Sequence, residues 1–147
     1  IEAPSDMQGE SLIPILTGQE DQWTRDAVYY HYYEYPAEHM VNRHYAIVTK
    51  DYKLVHYYYV EDQWELLDRN KDPLELKNFY DDPAYVEIKA DLHRRLDALR
   101  EKYKDNTDIS QRYIDQFMDD ALDGKVFGIS KEKAYEIMQR RERGTER

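Results

Sequence analysis

The sequence predicts an α+β fold in which a four-stranded antiparallel sheet is packed by one long helix and followed by a helical tail. Ten of the fifteen tyrosines lie between Tyr29 and Tyr59, and aromatic residues favour strands. After residue 82 the apolar residues recur at spacings of three and four, which is the period of a helix. The links between the predicted strands are short, so neighbouring strands are expected to run antiparallel in a meander.

The predicted strands are aromatic or β-branched runs bounded by turn residues. The first run, Ala-Val-Tyr-Tyr-His-Tyr-Tyr-Glu-Tyr, continues until Pro36 ends it, because proline cannot donate a hydrogen bond to a neighbouring strand. The second and third runs form a hairpin with its turn near Lys50 and Asp51, and the polar residues Glu61 and Asp62 separate the third run from the fourth. The predicted strands are therefore 27–35, 44–50, 52–59 and 63–68.

The predicted long helix begins at Asp82 and Pro83. An aspartate side chain can accept hydrogen bonds from the free amides at a helix start, and proline suits the first helical position. The apolar stripe that should face the sheet consists of Tyr85, Ile88, Leu92, Leu96, Leu99 and Tyr103. This spacing places one apolar side of the helix against the strands.

The chain is divided into three regions on these patterns. Residues 1–26 form an entry segment, with one short helical turn expected at 10–16. Residues 27–104 form the sheet-plus-helix subdomain, and residues 105–147 form a helical or partly flexible tail. The helices expected in the tail are a short amphipathic one at 114–121, ended by Gly124, and a second one from Ser130 to Arg143.

Composition excludes several classes of partner and chemistry. Lys and Arg number 21 and Asp and Glu number 31, which gives a formal net charge of −10. This charge disfavours nucleic acid and anionic membranes as partners, because phosphate groups require a basic surface.

The absence of cysteine excludes disulfides, thiolate metal sites and a cysteine nucleophile. No apolar run is long enough to span a membrane. The chain begins Ile-Glu-Ala-Pro without a positively charged leader, and we expect it to be a piece of a longer protein.

The five histidines form no zinc motif. The pattern His-Glu-x-x-His does not occur, and no cluster supplies the three ligands of a catalytic zinc site. His31 and His56 lie in predicted strands among tyrosines, where a hydrogen-bonded structural role is expected. His93 lies beside the helix stripe and is expected at the surface. We therefore predict no metal site in this chain.

The segment between the first two strands carries the densest group of polar side chains. Residues 34–44 read Glu-Tyr-Pro-Ala-Glu-His-Met-Val-Asn-Arg-His. Loops held by a rigid sheet often carry binding groups, and Arg43 with His39 or His44 would suit an anionic or hydroxyl-rich ligand through charge-assisted hydrogen bonds. An alternative is that Arg43 pairs with one of the segment's two glutamates and only fixes the loop. The glutamate pair by itself is a weak indication of glycoside hydrolysis.

Three stretches of the chain carry a more specific pattern. They are DMQGESLIPILTG, YYHYYEYPAEHMVNRHYAIVTKDYKLVHYY and WELLDRNKDPLELKNFY. Their most specific features are a Gly-x-Ser-Leu-x-Pro-x-Leu pattern near the N-terminus and a turn containing Asp72, Pro73, Leu74, Glu75 and Asn78. These stretches resemble the C-terminal subdomain of formylglycine-dependent sulfatases, in particular arylsulfatases and N-acetylglucosamine-6-sulfatases. The resemblance covers residues 1 to about 104.

The resemblance implies a parent enzyme that hydrolyses sulfate esters on glycans. In that family an alkaline-phosphatase-like catalytic domain carries a formylglycine, made from Cys or Ser in the pattern C/S-x-P-x-R, and a calcium ion held by Asp and Asn. This chain has no cysteine, and the residues two positions after its four serines are Met7, Ile13, Arg112 and Glu132. We therefore predict no catalytic residue and no cofactor site in this chain, and the chain alone should be inactive.

The resemblance also implies that the segment 34–44 lies near the substrate. His39, Arg43 and His44 are the predicted substrate-binding residues, which would orient sugar hydroxyls and balance the charge of sulfate. The expected partners are the catalytic domain of the same protein and a sulfated carbohydrate, and the expected location is the periplasm or the cell exterior. Because tyrosine-rich strands offer more aromatic area than one helix can cover, one face of the sheet is expected to pack against the catalytic domain.

Two features depart from the family pattern. Many relatives read His-Tyr-Gly-(Val/Ile)-Arg-Thr where this chain has Ala46 and Val48, so one arginine of the pattern is absent. The tail from about Asn106 onward resembles no family. Two other interpretations remain open: an autonomous carbohydrate-binding module that uses tyrosine rings as a platform, and a purely structural closing piece that makes no substrate contact.

Overall fold

The computed structural model describes residues 4, 7–35, 41–58, 62–125 and 130–145. These ranges contain four strands and four α-helices, and the predicted α+β fold is confirmed. The strands are β1 (Ala27–Tyr32), β2 (His44–Thr49), β3 (Tyr52–Tyr57) and β4 (Gln63–Asp68). The helices are α1 (Ile13–Leu16), α2 (Val86–Lys102), α3 (Thr107–Leu122) and α4 (Lys131–Thr145).

The sheet is an antiparallel meander in the order β1, β2, β3, β4. Ile47 of β2 lies opposite Tyr29 of β1 and Leu54 of β3, and Leu54 lies opposite Leu66 of β4. Since successive residues of a strand point to opposite faces, these four side chains share one face. The register therefore places a continuous apolar row across the sheet.

Helix α2 covers this face with its apolar stripe. Leu92 and Leu96 are buried against the sheet. The predicted cap is present, because the Asp82 carboxylate accepts a hydrogen bond from the amide of Ala84 at 2.9 Å, and a 3₁₀ turn at Pro83–Tyr85 precedes α2. The core consists of Tyr45, Ile47, Leu54, Leu66, Phe79, Tyr85, Leu92 and Leu96.

The opposite face of the sheet keeps aromatic area partly exposed. Tyr30 and Tyr32 of β1, His44 of β2 and Tyr57 of β3 lie on this face and are half-buried. Val28 lies on the same face and is 53% exposed. A surface of apolar and aromatic side chains is typical of a face that packs against another element.

The chain after β4 is folded by hydrogen bonds between side chains and backbone. The Asp72 carboxylate accepts hydrogen bonds from the backbone amides four and five residues further along the chain, at 2.6 and 2.8 Å. The Asn78 side chain accepts from the amide of Leu66 at 3.0 Å and donates to the carbonyl of Trp64 at 2.9 Å. Glu75 between them adopts a left-handed φ of 55°. The most specific motif of the sequence therefore builds a turn against β4.

The tail is a pair of helices with a small core of its own. Its buried residues are Ile114, Met118, Ala121, Ala134 and Ile137. The first tail helix is longer than predicted, because Asn106 caps it by accepting from the amide of Ile109 at 2.8 Å. Gly124, with a φ of 72°, follows its end as predicted. Among the described helices, none combines the length and apolar composition that a bilayer crossing requires.

Three predicted strands extend too far. The first was expected to reach residue 35 but ends at Tyr32, the second was expected to reach residue 50 but ends at Thr49, and the third was expected to reach residue 59 but ends at Tyr57. The first strand stops because its last partner, His44, is the first residue of β2. A tyrosine beyond that position still favours a strand by composition, but the ladder between β1 and β2 ends at the pair of Tyr32 and His44. The division of the chain into three regions stays a prediction.

Candidate functional site

The predicted substrate-binding residues belong to the segment that joins β1 to β2. His39 lies outside the described residues. Arg43 and His44 lie where β2 begins, beside the last residues of β1 and β3. The two side chains have different surroundings, because Arg43 is 1% exposed and His44 is half-buried among aromatic rings. Substrate contact by these residues stays a prediction.

His44 is held by three tyrosines and one backbone carbonyl. Its ring stacks on Tyr32, with centroids 5.6 Å apart and an interplanar angle of 22°, and it lies 5.2 Å from the ring of Tyr57 and 5.6 Å from that of Tyr30. Its Nδ1 lies 2.8 Å from the carbonyl oxygen of Asn42. Since a carbonyl only accepts, Nδ1 carries the proton and Nε2 is the acceptor. None of the described residues forms a hydrogen bond to Nε2.

Arg43 connects the two ends of the segment to the tail. Its Nε donates to the carbonyl of Tyr35 at 2.6 Å, and its Nη1 donates to the side-chain oxygen of Gln111 at 2.9 Å. Its own carbonyl accepts from the amide of Tyr58 at 3.0 Å. These contacts join Arg43 to a backbone carbonyl and to a side-chain amide. The alternative that Arg43 pairs with a glutamate of the segment stays a prediction.

A second polar group joins β1 to the C-terminal end of α2. His31 Nδ1 lies 2.6 Å from Asp105 Oδ2, and His31 Nε2 lies 2.5 Å from the hydroxyl of Tyr58. The hydroxyl of Tyr29 donates to the same Asp105 oxygen. Because a carboxylate only accepts, His31 donates from Nδ1 and accepts from Tyr58 at Nε2, which is the neutral imidazole. The structural role predicted for His31 is confirmed.

The ionisation of this group follows from its burial. Burial lowers the pKa of His31 and outweighs the opposing effect of Asp105. Burial also raises the pKa of Tyr29, and the hydrogen bond to Asp105 raises it further. Both shifts favour the uncharged side chain. The arrangement therefore holds the neutral imidazole of His31 and the neutral phenol of Tyr29 on one carboxylate.

A parallel group lies on the neighbouring strands. His56 Nε2 donates to Asp62 at 2.6 Å, and His56 Nδ1 accepts from the hydroxyl of Tyr45 at 2.7 Å. Arg100 of α2 donates to the same hydroxyl at 2.9 Å, and Trp64 stacks on the His56 ring at 4.0 Å between centroids. These bonds confirm the structural role predicted for His56.

The surface position predicted for His93 is wrong. Its side chain is half-buried, with its ring 4.3 Å from that of Trp64 and its Nε2 3.1 Å from the hydroxyl of Tyr80. Burial lowers the pKa of His93. Its position beside the apolar stripe indicated the surface, but aromatic rings from β4 and the following turn cover that side of α2.

Acidification is expected to destabilise the chain through His31. Since burial lowers the native pKa of His31, the unfolded chain takes up the proton first, and stability falls as the pH drops through about 6.5. Urea unfolding between about pH 7.5 and 5.5 should show a steeper loss for wild type than for His31→Gln, which keeps a donor and an acceptor without titrating. Equal slopes in the two proteins would contradict the neutral imidazole.

Comparison with known proteins identifies the family. Residues 1–102 match the family model of the N-sulphoglucosamine sulphohydrolase C-terminal domain. This match includes the whole sheet and α2. The chain belongs to this sulfatase family. The resemblance predicted from the sequence is thereby confirmed, and the tail helices α3 and α4 lie beyond the matched residues.

Individual relatives are sulfatases or carry a sulfated sugar. The N-acetylglucosamine-6-O-sulfatase of Bacteroides thetaiotaomicron is 46% identical over 108 residues, which are 72% of this chain and 19% of the relative. A protein solved in complex with its substrate D-glucosamine-2-N,6-O-disulfate is 46% identical, with a TM-score of 0.67 over 72% of this chain and 22% of that one. A solved 2-O glycosaminoglycan sulfatase is 30% identical, with a TM-score of 0.62 over 71% and 22%. The chain spans about a fifth of the length of these relatives.

Within the described ranges, no three His, Asp or Glu side chains converge to hold a metal ion. The sequence has no cysteine, and none of its serines stands in a C/S-x-P-x-R pattern. Sequence reasoning missed the contributions of Asp105 and Gln111, because each meets a partner more than sixty positions away in the chain.

Proposed function

We propose that this chain is the C-terminal part of a bacterial sulfatase that hydrolyses sulfate esters on glycans, with sulfated glucosamine as its sugar. The observation that carries the proposal is the match of residues 1–102 to a sulphohydrolase C-terminal family. Two relatives at 46% identity support it, one named for 6-O-sulfated N-acetylglucosamine and one bound to a disulfated glucosamine. The longer protein that contains this chain is called the parent enzyme below.

Within the parent enzyme the chain completes the substrate pocket. His44 presents Nε2 as an acceptor between tyrosine rings, which suits a hydrogen bond from a sugar hydroxyl. Arg43 supplies positive charge beside the same segment, and His39 belongs to it in sequence. These residues orient hydroxyls and balance the negative charge of sulfate, which contributes positioning and electrostatic stabilisation to the reaction.

The catalytic domain of the parent enzyme packs on surfaces that this chain leaves exposed. One is the tyrosine-bearing face of the sheet opposite α2. Another is the N-terminal segment, where Leu12, Ile13 and Leu16 are 56%, 64% and 79% exposed and α1 has no buried residue. Apolar side chains exposed in this number are typical of an interface.

The chemistry of sulfate cleavage belongs to that catalytic domain. A formylglycine would supply the nucleophile there, and calcium would be held by its Asp and Asn side chains. The parent enzyme is exported to the periplasm or the cell exterior in this proposal, by analogy with the sulfatase family. This chain contributes the substrate-facing segment and the support behind it.

Substitution in the parent enzyme tests the pocket. His44→Ala should lower kcat/KM for hydrolysis of 6-O-sulfated N-acetylglucosamine by about tenfold, because a hydroxyl acceptor is lost while the phenol rings remain. Gln116→Ala, on the exposed side of α3, is the control and should leave kcat/KM unchanged. The isolated chain should release no sulfate. Unchanged kcat/KM in His39→Ala, Arg43→Ala and His44→Ala would leave only a structural role.

An autonomous carbohydrate-binding module is the second candidate, favoured by the half-exposed rings of Tyr30, Tyr32 and Tyr57. Titration of the isolated chain with sulfated and unsulfated oligosaccharides separates the two. A pocket fragment should bind neither, since its pocket is shared with the catalytic domain. Binding by the chain alone would support the module and count against the shared pocket.

A further inference from the structure

The tail and the segment 34–44 meet at a single buried arginine. The guanidinium of Arg43 donates to Tyr35, at the start of the segment, and to Gln111 on α3. Arg43 itself is at the other end of the segment, and its carbonyl is bound by the amide of Tyr58 after β3. One side chain therefore closes the segment and attaches it both to the sheet and to a helix that lies beyond the family match.

The amide of Gln111 is oriented for this contact. Its Nε2 donates to the carboxylate of Asp115, one turn further along α3, at 2.9 Å. Because a carboxylate only accepts, this bond directs the amide nitrogen to Asp115 and leaves the amide oxygen toward Arg43. The contact between Arg43 and Gln111 is thus a charge-assisted bond from a guanidinium to a pre-oriented carbonyl oxygen.

A ring contact places α3 beside the same end of the sheet. Tyr113 of α3 lies 6.1 Å from the ring of Tyr33, which follows β1. Tyr33 lies directly before the segment, and Tyr35 is its second residue. Tyr113 therefore contacts the residue before the segment, and Gln111 reaches the segment through Arg43.

We propose that Gln111 is a positioning residue that holds Arg43, and through it Tyr35 and the start of β2, in place for substrate. This inference rests on the proposed function for the role of the segment at the substrate mouth. Gln111 lies outside the family match at residues 1–102, so the tail adds a support to a substrate pocket that the family pattern does not describe. Gln111 acts through Arg43 and touches no reacting atom.

Three variants of the chain separate this role from general support of α3. Gln111→Met keeps the length of the side chain and removes the acceptor. Gln111→Glu combined with Asp115→Asn keeps an oxygen acceptor toward Arg43 and a donor–acceptor pair along α3, and should rescue the contact. Gln116→Met is the matched control, because Gln116 makes the same bond one turn along the helix, to Asp120 at 3.2 Å.

Proton exchange at Arg43 gives the first measurement. The Nε proton of Arg43 and the amide proton of Tyr58 report two of the three hydrogen bonds described for the arginine, and both can be followed by NMR in the isolated chain. In Gln111→Met, both should exchange about fivefold faster. The double variant Gln111→Glu with Asp115→Asn, and Gln116→Met, should exchange as wild type does. Wild-type exchange in Gln111→Met, or no rescue by the double variant, would overturn the contact.

Kinetics of the parent enzyme give the second measurement. Gln111→Met should raise KM for the sulfated sugar about fivefold with kcat unchanged, since the segment binds sugar without taking part in bond cleavage. Gln116→Met should leave both unchanged. Faster exchange at Arg43 with an unchanged KM in an active enzyme would overturn the inference. A parent enzyme that releases no sulfate overturns the proposed function instead, and the exchange data still decide whether Gln111 holds Arg43.

Discussion

Replacing Leu96 by alanine is expected to lower the free energy of unfolding by about 3 kcal/mol. The side chain of Leu96 is fully buried where α2 meets the sheet, in one cluster with Ile47 and Leu54. Truncation removes apolar contacts and leaves a cavity, and the strands opposite α2 are held by their ladders and cannot collapse into it. Urea unfolding followed by fluorescence measures the loss, since Trp64 packs against the same cluster.

An exposed leucine provides the matched control for this substitution. Leu76 is 81% exposed in the turn after β4, and Leu76→Ala should change the free energy of unfolding by less than about 0.5 kcal/mol. Should Leu96→Ala fail to fold, Leu96→Met tests the same site, with an expected loss under about 1.5 kcal/mol. Equal losses at Leu96 and Leu76 would contradict the packing of α2 on the sheet.

The fold could be predicted because its signals are local. The order of the strands follows from short links, and the face that α2 buries follows from apolar spacing within one helix. The fourth strand was predicted at its observed bounds, 63–68, because polar residues precede it and a turn follows it. The end of β1 could not be predicted, since it depends on where β2 begins.

The candidate site was predictable by residue type and not by contact. Arginine and histidine in one inter-strand segment indicated a binding loop. Nothing local indicates that Arg43 meets Gln111, 68 positions away, or that His31 meets Asp105, 74 positions away. Such pairs form only when the strand ends of the sheet lie next to the C-terminal end of α2 and the start of α3. Residue types in the sequence therefore indicate the chemistry of the site, but the contacts depend on the tertiary fold.

The most specific motif has a structural explanation. The Asp72 side chain accepts hydrogen bonds from backbone amides of the turn after β4, and the Asn78 side chain bonds to the backbone of β4 itself. Aspartate and asparagine suit such turns because their short side chains reach nearby backbone groups. In the proposed function the sulfated sugar is bound by the segment 34–44 and not by this turn.

Replacing Asp68 by alanine is expected to lower the free energy of unfolding by about 3 kcal/mol at neutral pH. Asp68 is 3% exposed at the end of β4. Its carboxylate accepts from the amides of Asn70 and Lys71, at 3.1 and 2.9 Å, and from the hydroxyl of Tyr85 at 2.7 Å. Alanine would leave the buried hydroxyl of Tyr85 without its acceptor and release the turn that joins β4 to the start of α2.

Two substitutions and a pH series make this prediction specific. Burial by itself would raise the pKa of Asp68. The hydrogen bonds from the amides of Lys71 and Asn70 and from the Tyr85 hydroxyl stabilise the carboxylate more strongly, so the pKa lies below its usual value. A lowered native pKa means that the stabilisation is present above about pH 4 and is lost as the pH falls through that range. The free energy of unfolding of Asp68→Asn should therefore depend less on pH in the acid range. At neutral pH its loss should be smaller than that of Asp68→Ala, because an amide oxygen still accepts hydrogen bonds from the turn.

Asp97→Ala, at an exposed position of α2, is the control and should change the free energy of unfolding by less than about 0.5 kcal/mol. A loss as small at Asp68 as at Asp97 would show that the turn is held by its backbone alone.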